Sequence, residues 1–388
     1  MAERKTLGRK TVSSAPEPRS CAQLLVEWFR THARALPWRE GDYDPYKVLV
    51  SEFMLQQTQV STVIPYFRRW MSRWPDLESL ASADEAEALK LWEGLGYYSR
   101  CRNLLKAARG MSKAGYACPP ASVEELRACP GIGEYTAGAI VSIGYGLPVP
   151  AVDGNVERVI SRLFGFEGLS GSTALRHNVT DVVSAMLKQL RSLPGKGATP
   201  RDFNQALMDL GATVCTPSRG GVPFCGECPW IECCLAHKNG REAELPLPRQ
   251  RAPISQDDAW GLLAISPCQR ELLLHRRPDE GLWASMWEIP WFIRKENFWK
   301  DFDAWCTALN MEIQLDRNDL KEVGSATFSF TTHRVRSQVV VCNVESVPSG
   351  EVWCFYPFDE LDNLSMPAPS RKFLSCFNQN FIFCDKYK

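Results

Sequence analysis

The chain has 388 residues, which is enough for two domains with separate hydrophobic cores. Apolar residues make up 45% and charged residues 23%, as in an ordinary globular protein, and no apolar run reaches the roughly 18 residues of a membrane-spanning helix. The 45 basic and 45 acidic side chains cancel, which excludes nucleic-acid binding through an overall basic charge. Any such contact has to use local patches and backbone amides.

Residues 1–20 are predicted to form a flexible basic arm. Their charged side chains are mostly basic and no apolar run follows them, so they lack the pattern of a secretory signal. An organelle transit peptide is the alternative. The fifteen cysteines are an odd number, which favours a reducing compartment over a disulfide-linked secreted protein.

Residues 21–240 are predicted to be helical. In residues 53–74 the apolar side chains recur at spacings of three and four, which is typical of an amphipathic helix. Similar patterns, separated by glycine and proline, predict further helices at 84–93, 99–113, 122–128, 135–144, 155–164, 173–190 and 201–214.

The segment between residues 126 and 139 predicts a tight turn between two helices. It reads Leu126-Arg-Ala-Cys-Pro-Gly131-Ile-Gly133-Glu-Tyr135-Thr-Ala-Gly-Ala, and its glycines allow the backbone to turn sharply and to approach a ligand closely. The second helix begins with unpaired amides and the positive end of its dipole, which suits a DNA phosphate and carries no base specificity. A plain helix–turn–helix corner in a core is the alternative.

Two acidic residues lie near the beginnings of predicted helices. Glu52 begins an otherwise apolar helix, where the helix dipole favours an acidic side chain. Asp153, in Ala151-Val-Asp153-Gly-Asn155, is well placed to cap the helix that follows it. Each residue alone has this purely structural explanation. Together they predict acid–base chemistry close to bound DNA.

Four cysteines, Cys215, Cys225, Cys228 and Cys234, lie within twenty residues of one another. Their spacing, C-x9-C-x2-C-x5-C, allows four thiolates to surround one soft metal centre. An iron–sulfur cluster and a structural zinc ion are both compatible with it, and scattered structural cysteines are the alternative. Cys233 is a second candidate for the fourth ligand.

The pattern of the sequence changes after residue 240. Residues 241–256 are predicted to be a linker, because three prolines stand there among charged residues with little apolar content. Beyond the linker, residues 260–265, 271–275 and 335–344 have the pattern of strands, and residues 296–309 and 369–377 that of helices. Residues 257–388 are therefore predicted to form an α+β domain with a mixed or antiparallel sheet.

Together these segments resemble the MutY-type adenine DNA glycosylases of the helix-hairpin-helix superfamily, over nearly all of residues 21–388. The turn, the Asp153 segment and the cysteines carry the resemblance. So do these motifs: Leu36-Pro-Trp-Arg39, Asp44-Pro-Tyr46, Ser51-Glu-Phe-Met-Leu-Gln-Gln-Thr58, Gly94-Leu-Gly-Tyr-Tyr-Ser-Arg100 and Phe203-Asn-Gln-Ala206. The implied architecture is multi-domain, with an all-α glycosylase domain over 21–240 and a Nudix-like α+β domain over 257–388.

The resemblance implies that the four cysteines hold a [4Fe–4S] cluster, although the nine residues between the first two exceed the usual family spacing. It also implies monofunctional chemistry. Related glycosylase–lyases of the endonuclease III type have a lysine at the position of Tyr135, which forms a Schiff base with the sugar and leads to strand cleavage. They also lack a glutamate at the position of Glu52. A phenol cannot form a Schiff base.

The implied reaction begins when adenine is flipped out of the duplex into a pocket. Glu52, protonated, is the general acid on the adenine N7 and afterwards activates water. Asp153, ionised, stabilises the oxocarbenium-like sugar, either electrostatically or through a transient covalent bond. Tyr135 and Asn155 orient the two carboxyl groups by hydrogen bonds.

Further residues are implied to contact DNA. The base pocket is formed by Arg34, Trp38, Leu55 and Gln205. Gln205 can both donate to and accept from an adenine edge. Gln57 and Tyr98 fill the gap near the extrahelical base, with Tyr97 as the alternative to Tyr98. Gly131 and Gly133 bring the backbone of the turn to a phosphate.

The Nudix-like domain is implied to recognise the 8-oxoguanine. The family uses a Phe-Ser-His turn, and this chain has Phe328-Ser329-Phe330, with His333 later. Phe328 and Ser329 are therefore predicted to contact the lesion, and an ordinary β-hairpin is the alternative. Residues 281–290 contain one glutamate, whereas a Nudix hydrolase needs several acidic residues to bind Mg²⁺. No pyrophosphatase activity is expected.

The sequence thus predicts a monofunctional adenine DNA glycosylase of base excision repair. Its predicted partner is double-stranded DNA with A:8-oxoguanine or A:G mispairs, and no membrane. The alternatives are another base specificity in the superfamily, a catalytically silent cluster-bearing DNA-binding protein, and a nucleotide-pool hydrolase. A monomer is expected, located in the cytoplasm with the nucleoid in a bacterium, with the nucleus or an organelle as alternatives.

Overall fold

The structure is a computed structural model that describes residues 16–380 except 191–197, 218–222, 250–252, 310–311 and 347–351. Residues 1–15 of the predicted basic arm therefore lie outside the described residues. The chain divides into two compact units. The first unit comprises Met1–Ala81 and Lys106–Gln250, and the second Ser82–Leu105 and Arg251–Lys388. The predicted domain boundaries stay a prediction. Among the described residues, the helices are too short or too polar to span a membrane.

Helices make up most of the described chain before residue 250. They are α1 (Pro18–His32), α2 (Pro45–Leu55), α3 (Val60–Arg73), α4 (Leu77–Ala81), α5 (Glu85–Trp92), α6 (Ser99–Lys113), α7 (Val123–Arg127), α8 (Glu134–Ala139), α9 (Gly154–Phe164), α10 (Thr173–Gln189), α11 (Pro200–Thr213) and α12 (Leu235–Lys238). Short 3-10 helices lie at Pro37–Arg39 and Cys225–Glu227, and a π-helical turn at Ile140–Gly144 continues α8. The predicted helices match these bounds closely from residue 84 onward.

The single helix predicted over residues 53–74 is wrong. The structure ends α2 at Leu55 and begins α3 at Val60, and Gln57 between them has a φ of 59°. A positive φ is outside the α-helical region, so the helix cannot continue through this residue. The apolar periodicity misled because both helices bury apolar residues, such as Phe53 and Phe67.

The core of the first unit lies among α1, α9, α10 and α11. Helix α1 packs against α10 and α11, and α9 packs against α10, α11 and α12. The fully buried side chains include Leu25 of α1, Ile160 of α9 and Leu207 of α11. This packing fixes the position of the first residues of α9, because the helix is packed against three other helices.

The second unit contains a mixed sheet. Its strands are β1 (Ser255–Ile265), β2 (Glu271–Arg276), β3 (Trp287–Glu288), β4 (Trp291–Ile293), β5 (Gln314–Leu315), β6 (Lys321–Phe330), β7 (His333–Ser346) and β8 (Trp353–Pro357). Strands β1 and β7 pair in parallel, and the other described pairs are antiparallel. The two described α-helices after residue 250 are α13 (Phe298–Ala308) and α14 (Ala368–Asn380), and a short 3-10 helix lies at Leu361–Asn363.

Each face of this sheet is covered by one helix. Along β1, Ala259 and Leu263 belong to the apolar core that contains Phe373 of α14, whereas Trp260 and Leu262 belong to the core that contains Phe302 of α13. This is the alternation expected when successive side chains of a strand point to opposite faces. The predicted fold class, a helical part followed by an α+β part, is confirmed.

Candidate active site

Three of the predicted catalytic side chains come together in the first unit. Glu52 lies in the last turn of α2 (Pro45–Leu55), so the prediction that it begins a helix is wrong. Tyr135 is in the first turn of α8, and Asp153 caps α9 as predicted. The Tyr135 hydroxyl is hydrogen-bonded to the Glu52 carboxyl group, and the charge of Asp153 is close enough to raise the pKa of Glu52. The turn at 126–139 thus brings the phenol to a pair of carboxyl groups.

Glu52 is only 6% exposed. Burial raises its pKa to about 7, and the nearby Asp153 also raises it, while the hydrogen bond from Tyr135 and the charge of Arg39 lower it. Near neutral pH, Glu52 is therefore present in both the protonated and the ionised form. This suits a group that first gives a proton and then takes one back.

Asp153 lies in a different environment. Its carboxyl oxygens accept hydrogen bonds from the backbone N–H of Val156 (2.7 Å) and from Nδ2 of Asn155 (2.8 Å). Burial raises the pKa of Asp153, and these two hydrogen bonds and the charge of Arg158 oppose that rise. The N-terminal end of α9 therefore supplies fixed hydrogen-bond donors to the ionised form of Asp153.

Arg158 is a residue of the site that the sequence analysis missed. Its Nη2 donates to Asn155 Oδ1 (2.9 Å) and to the carbonyl of Gly211 (2.7 Å), and its Nε donates to the carbonyl of Cys215 (2.9 Å). Because Asn155 Oδ1 accepts from Arg158, its Nδ2 is turned toward Asp153. The three-residue spacing on one helix face was the available signal. Arg158 thus connects Asp153 to the segment that carries the first clustered cysteine.

Arg34, predicted to line the base pocket, is held in an ion pair. Asp209 on α11 accepts from Arg34 Nε (2.8 Å) and from Arg39 Nη1 (2.8 Å) and Nη2 (3.0 Å), and its side chain is fully buried. Burial acts to raise the pKa of Asp209, but the two guanidinium groups hold it below its usual value. Asp209 therefore ties the loop that carries Arg34 to α11. Sequence analysis missed this aspartate, which lies one turn after Gln205.

Gln205 has an unpartnered acceptor. The residue is 1% exposed; its Nε2 makes a long hydrogen bond to the carbonyl of Arg201 (3.4 Å), and its Oε1 has no hydrogen-bond partner among the described residues. A buried polar atom without a partner is costly and is uncommon unless a ligand or water uses it. Trp38 is also buried, edge-on to Phe67, and Leu55 is partly exposed at the end of α2.

The residues predicted to contact the DNA backbone, and those predicted to fill the space left by the extrahelical base, lie on turns. Gly131 and Gly133 are exposed, and Gly131 has a φ of 76°, which favours glycine. Gln57 is also exposed, in the left-handed turn between α2 and α3. Tyr98, however, is 5% exposed, whereas the neighbouring Tyr97 is 55% exposed. The structure therefore favours Tyr97, the alternative considered above, and its role in DNA stays a prediction.

The four predicted metal ligands line one small cavity. Cys215, Cys225, Cys228 and Cys234 surround it, and Cys233 does not take part. Arg162 Nη1 donates to the sulfur of Cys215 (3.2 Å). Burial raises the pKa of Cys228 to about 12 and that of Cys234 to about 11. Thiols whose ionisation is disfavoured by burial fit a cationic metal centre, which supplies the missing counter-charge. A set of four sulfur donors suits iron–sulfur and zinc alike.

In the second unit, the two residues predicted to read the lesion, Phe328 and Ser329, are neighbours on β6, so their side chains point to opposite faces of the sheet. Phe328 is buried and packs edge-on against Trp291 and Phe373, so it belongs to the core of the second unit, and its contact with DNA stays a prediction. Ser329 is exposed on β6. His333, across the strand pair from Phe330, stacks on its ring and bonds to Asp257 (2.9 Å).

Family models match both units. Residues 50–207 match the model of the HhH-GPD superfamily of base excision DNA repair proteins, and residues 261–376 match a NUDIX domain. The glutamate of residues 281–290, Glu288, is buried and is paired with Arg277 Nη1 (2.9 Å).

Curated relatives are adenine DNA glycosylases from animals and bacteria. The rat protein is 36% identical over 315 residues, which cover 69% of this chain and 59% of the rat protein. The human protein is 32% identical over 393 residues (85% of this chain and 69% of the human protein). The protein of Buchnera aphidicola subsp. Schizaphis graminum is 29% identical over 360 residues (92% and 98%). The match thus spans about three-fifths of the rat relative. The chain belongs to the adenine DNA glycosylase family.

Proposed function

We propose that this protein is a monofunctional DNA glycosylase that removes adenine opposite 8-oxoguanine or guanine in duplex DNA. The observation that carries the proposal is the buried Glu52, hydrogen-bonded to Tyr135 and close to Asp153. This pair of carboxyl groups can supply both a proton and a fixed negative charge. A phenol at position 135 offers no amine for a Schiff base, so hydrolysis without strand cleavage follows.

The reaction uses the two carboxyl groups in sequence. Protonated Glu52 donates to N7 of the flipped adenine, and the electron pair of the C1′–N9 bond leaves with the neutral base. Ionised Asp153 stabilises the oxocarbenium-like sugar that remains. Glu52, now a carboxylate, takes a proton from the water that attacks C1′. The products are free adenine and an abasic site, and Glu52 returns to its protonated state.

Gln205 supports adenine as the base in the pocket. Its buried Oε1 can accept a hydrogen bond, and the exocyclic amine of adenine is a donor that would satisfy it. Guanine has a carbonyl oxygen at the same ring position, which cannot donate. Trp38 adds a flat apolar surface that excludes water from the base. On the opposite strand, the exposed Ser329 hydroxyl is proposed to bond to the 8-oxoguanine.

The same proposal includes a [4Fe–4S] cluster on Cys215, Cys225, Cys228 and Cys234. When bound, such a cluster supplies a compact cationic centre that cross-links the chain around it. Anaerobically purified protein is expected to be brown, with an absorbance maximum at about 410 nm and equal contents of iron and sulfide. A colourless protein that contains one zinc ion would contradict the cluster without touching the proposal on adenine.

The test of the activity is single-turnover cleavage of a duplex with one adenine opposite 8-oxoguanine. A strand break that is seen only after alkali is the expected result. A break without alkali would mean lyase chemistry, and no break at all, with DNA binding intact, would mean a silent binding protein. In the same assay, Glu52→Gln is expected to abolish excision. Glu157→Gln is its matched control, because Glu157 is also buried but accepts hydrogen bonds from Ser170 and Gly171 instead of from Tyr135.

A further inference from the structure

A second cysteine pair lies beside the cavity of the four clustered cysteines. Cys21 of α1 is buried, and its sulfur lies 3.8 Å from the sulfur of Cys233. Trp230 Nε1 donates to the carbonyl of Cys21 (2.9 Å), so the same segment is attached to α1 at two points. The two cysteines are 212 positions apart in the chain, and the fold alone brings them into contact.

Neither cysteine is used by the proposed chemistry. Cys233 is absent from the lining of the metal cavity, although its neighbour Cys234 is part of it. A cysteine in a core is usually a small apolar residue. Cys233, however, is partly exposed and lies in a short turn between Trp230 and α12, where the backbone is not held in a helix or strand. One thiol of the pair is therefore open to a small reagent, and the other stands directly behind it.

We infer that Cys21 and Cys233 are a redox pair that forms a reversible disulfide between α1 and the segment of the clustered cysteines. The bond requires the two sulfurs to approach from 3.8 Å to about 2 Å. Cys21 lies on a helix that packs against α10 and α11, so the movement is assigned to the turn that carries Cys233.

The oxidant is a small-molecule disulfide such as oxidised glutathione. The Cys233 thiolate attacks one sulfur of the glutathione disulfide, which gives a mixed disulfide and releases one glutathione thiolate. The Cys21 thiolate then attacks the Cys233 sulfur and releases the second glutathione. The two protons lost by the protein thiols are taken up by the two glutathione molecules. The protein loses two electrons, and the glutathione disulfide gains them.

The position of this bond gives it a defined effect. Cys233 directly precedes Cys234, so the disulfide would restrain the backbone next to the fourth cluster ligand. It would use none of the four ligand sulfurs, which stay available to the metal. This consequence rests on the proposed cluster, whereas the disulfide itself does not. A reducing compartment keeps both cysteines as thiols, and a more oxidising one favours the disulfide.

The experiment uses the anaerobically purified full chain, with its bound metal, in glutathione buffers from fully reduced to fully oxidised. Free thiols are then alkylated, and the protein is digested and analysed by peptide mass spectrometry. The expected result is a peptide pair joined through Cys21 and Cys233, two hydrogens lighter than its parts, which increases with the oxidised fraction. Dithiothreitol is expected to reverse it. The visible absorbance, followed in parallel, is expected to remain unchanged.

Two variants sharpen this test. Cys21→Ala is expected to leave glutathione trapped on Cys233, because the resolving thiol is missing, while Cys118→Ser, at an exposed cysteine of the same unit, is expected to leave the cross-link unchanged. The inference is overturned if wild-type Cys21 stays alkylated at every ratio. It is also overturned if Cys233 is joined instead to one of the four clustered cysteines. Both readouts come from the wild-type protein and do not depend on adenine excision.

Discussion

Replacement of Glu52 by glutamine should make the protein more stable at neutral pH while abolishing its proposed activity. The pKa of Glu52 is raised from 4.5 to about 7 by burial. A raised pKa means that the folded state prefers the protonated form. The free energy that Glu52 contributes to folding is therefore fully present below pH 4.5 and is lost as the pH rises through about 7. The difference between the two pKa values corresponds to about 3 kcal/mol of folding free energy.

Glutamine resembles protonated glutamate in shape and can still accept a hydrogen bond from Tyr135, but it does not titrate. The free energy of unfolding of Glu52→Gln, measured relative to the wild type in urea, should therefore rise by about 3 kcal/mol between pH 4.5 and pH 8. Titrating groups that do not interact with Glu52 cancel in this difference. Glu157→Gln, measured in the same way, is the control for a buried glutamate outside the site, and it is not expected to reproduce the pH dependence of Glu52→Gln.

A flat difference between Glu52→Gln and the wild type across this pH range would refute the reasoning. It would mean that Glu52 is ionised in the folded protein at neutral pH and has no proton to give. The excision assay is the second readout of the same variant, and retained turnover would remove Glu52 from the role of general acid. Stability gained with activity lost is the pattern expected of a residue strained for function.

Further predictions concern groups that hold the site in place. Arg158→Gln should lower the single-turnover excision rate about 10- to 100-fold, because Asn155 loses the bond that orients it; an unchanged rate would contradict this role. Asp209→Asn should destabilise the protein by about 3–5 kcal/mol in urea unfolding, because two guanidinium groups lose a buried counter-charge. Ser329→Ala should reduce the preference for 8-oxoguanine over guanine opposite adenine, with a change in stability within about 0.5 kcal/mol because the residue is exposed. The same preference in both proteins would show that Ser329 does not contact the lesion.

Much of the helical part of the fold could be predicted locally. Apolar periodicity and capping residues place α9, α10 and α11 almost to the residue, because these signals act within one helical turn. Periodicity failed between Leu55 and Val60, since two successive helices with buried faces give the same pattern as one. In the second unit the long strand β6 was missed, because its half-exposed pattern contains few branched apolar residues.

The candidate catalytic groups could be named from the sequence, whereas their chemical properties depend on the tertiary structure. Residue types and spacing alone singled out Glu52, Asp153 and the clustered cysteines. A pKa of about 7 for Glu52, however, depends on burial, and burial depends on side chains distant in the sequence. The same reason applies to Asp209 and Cys21, whose partners lie far away along the chain and whose contacts arise only when helices pack.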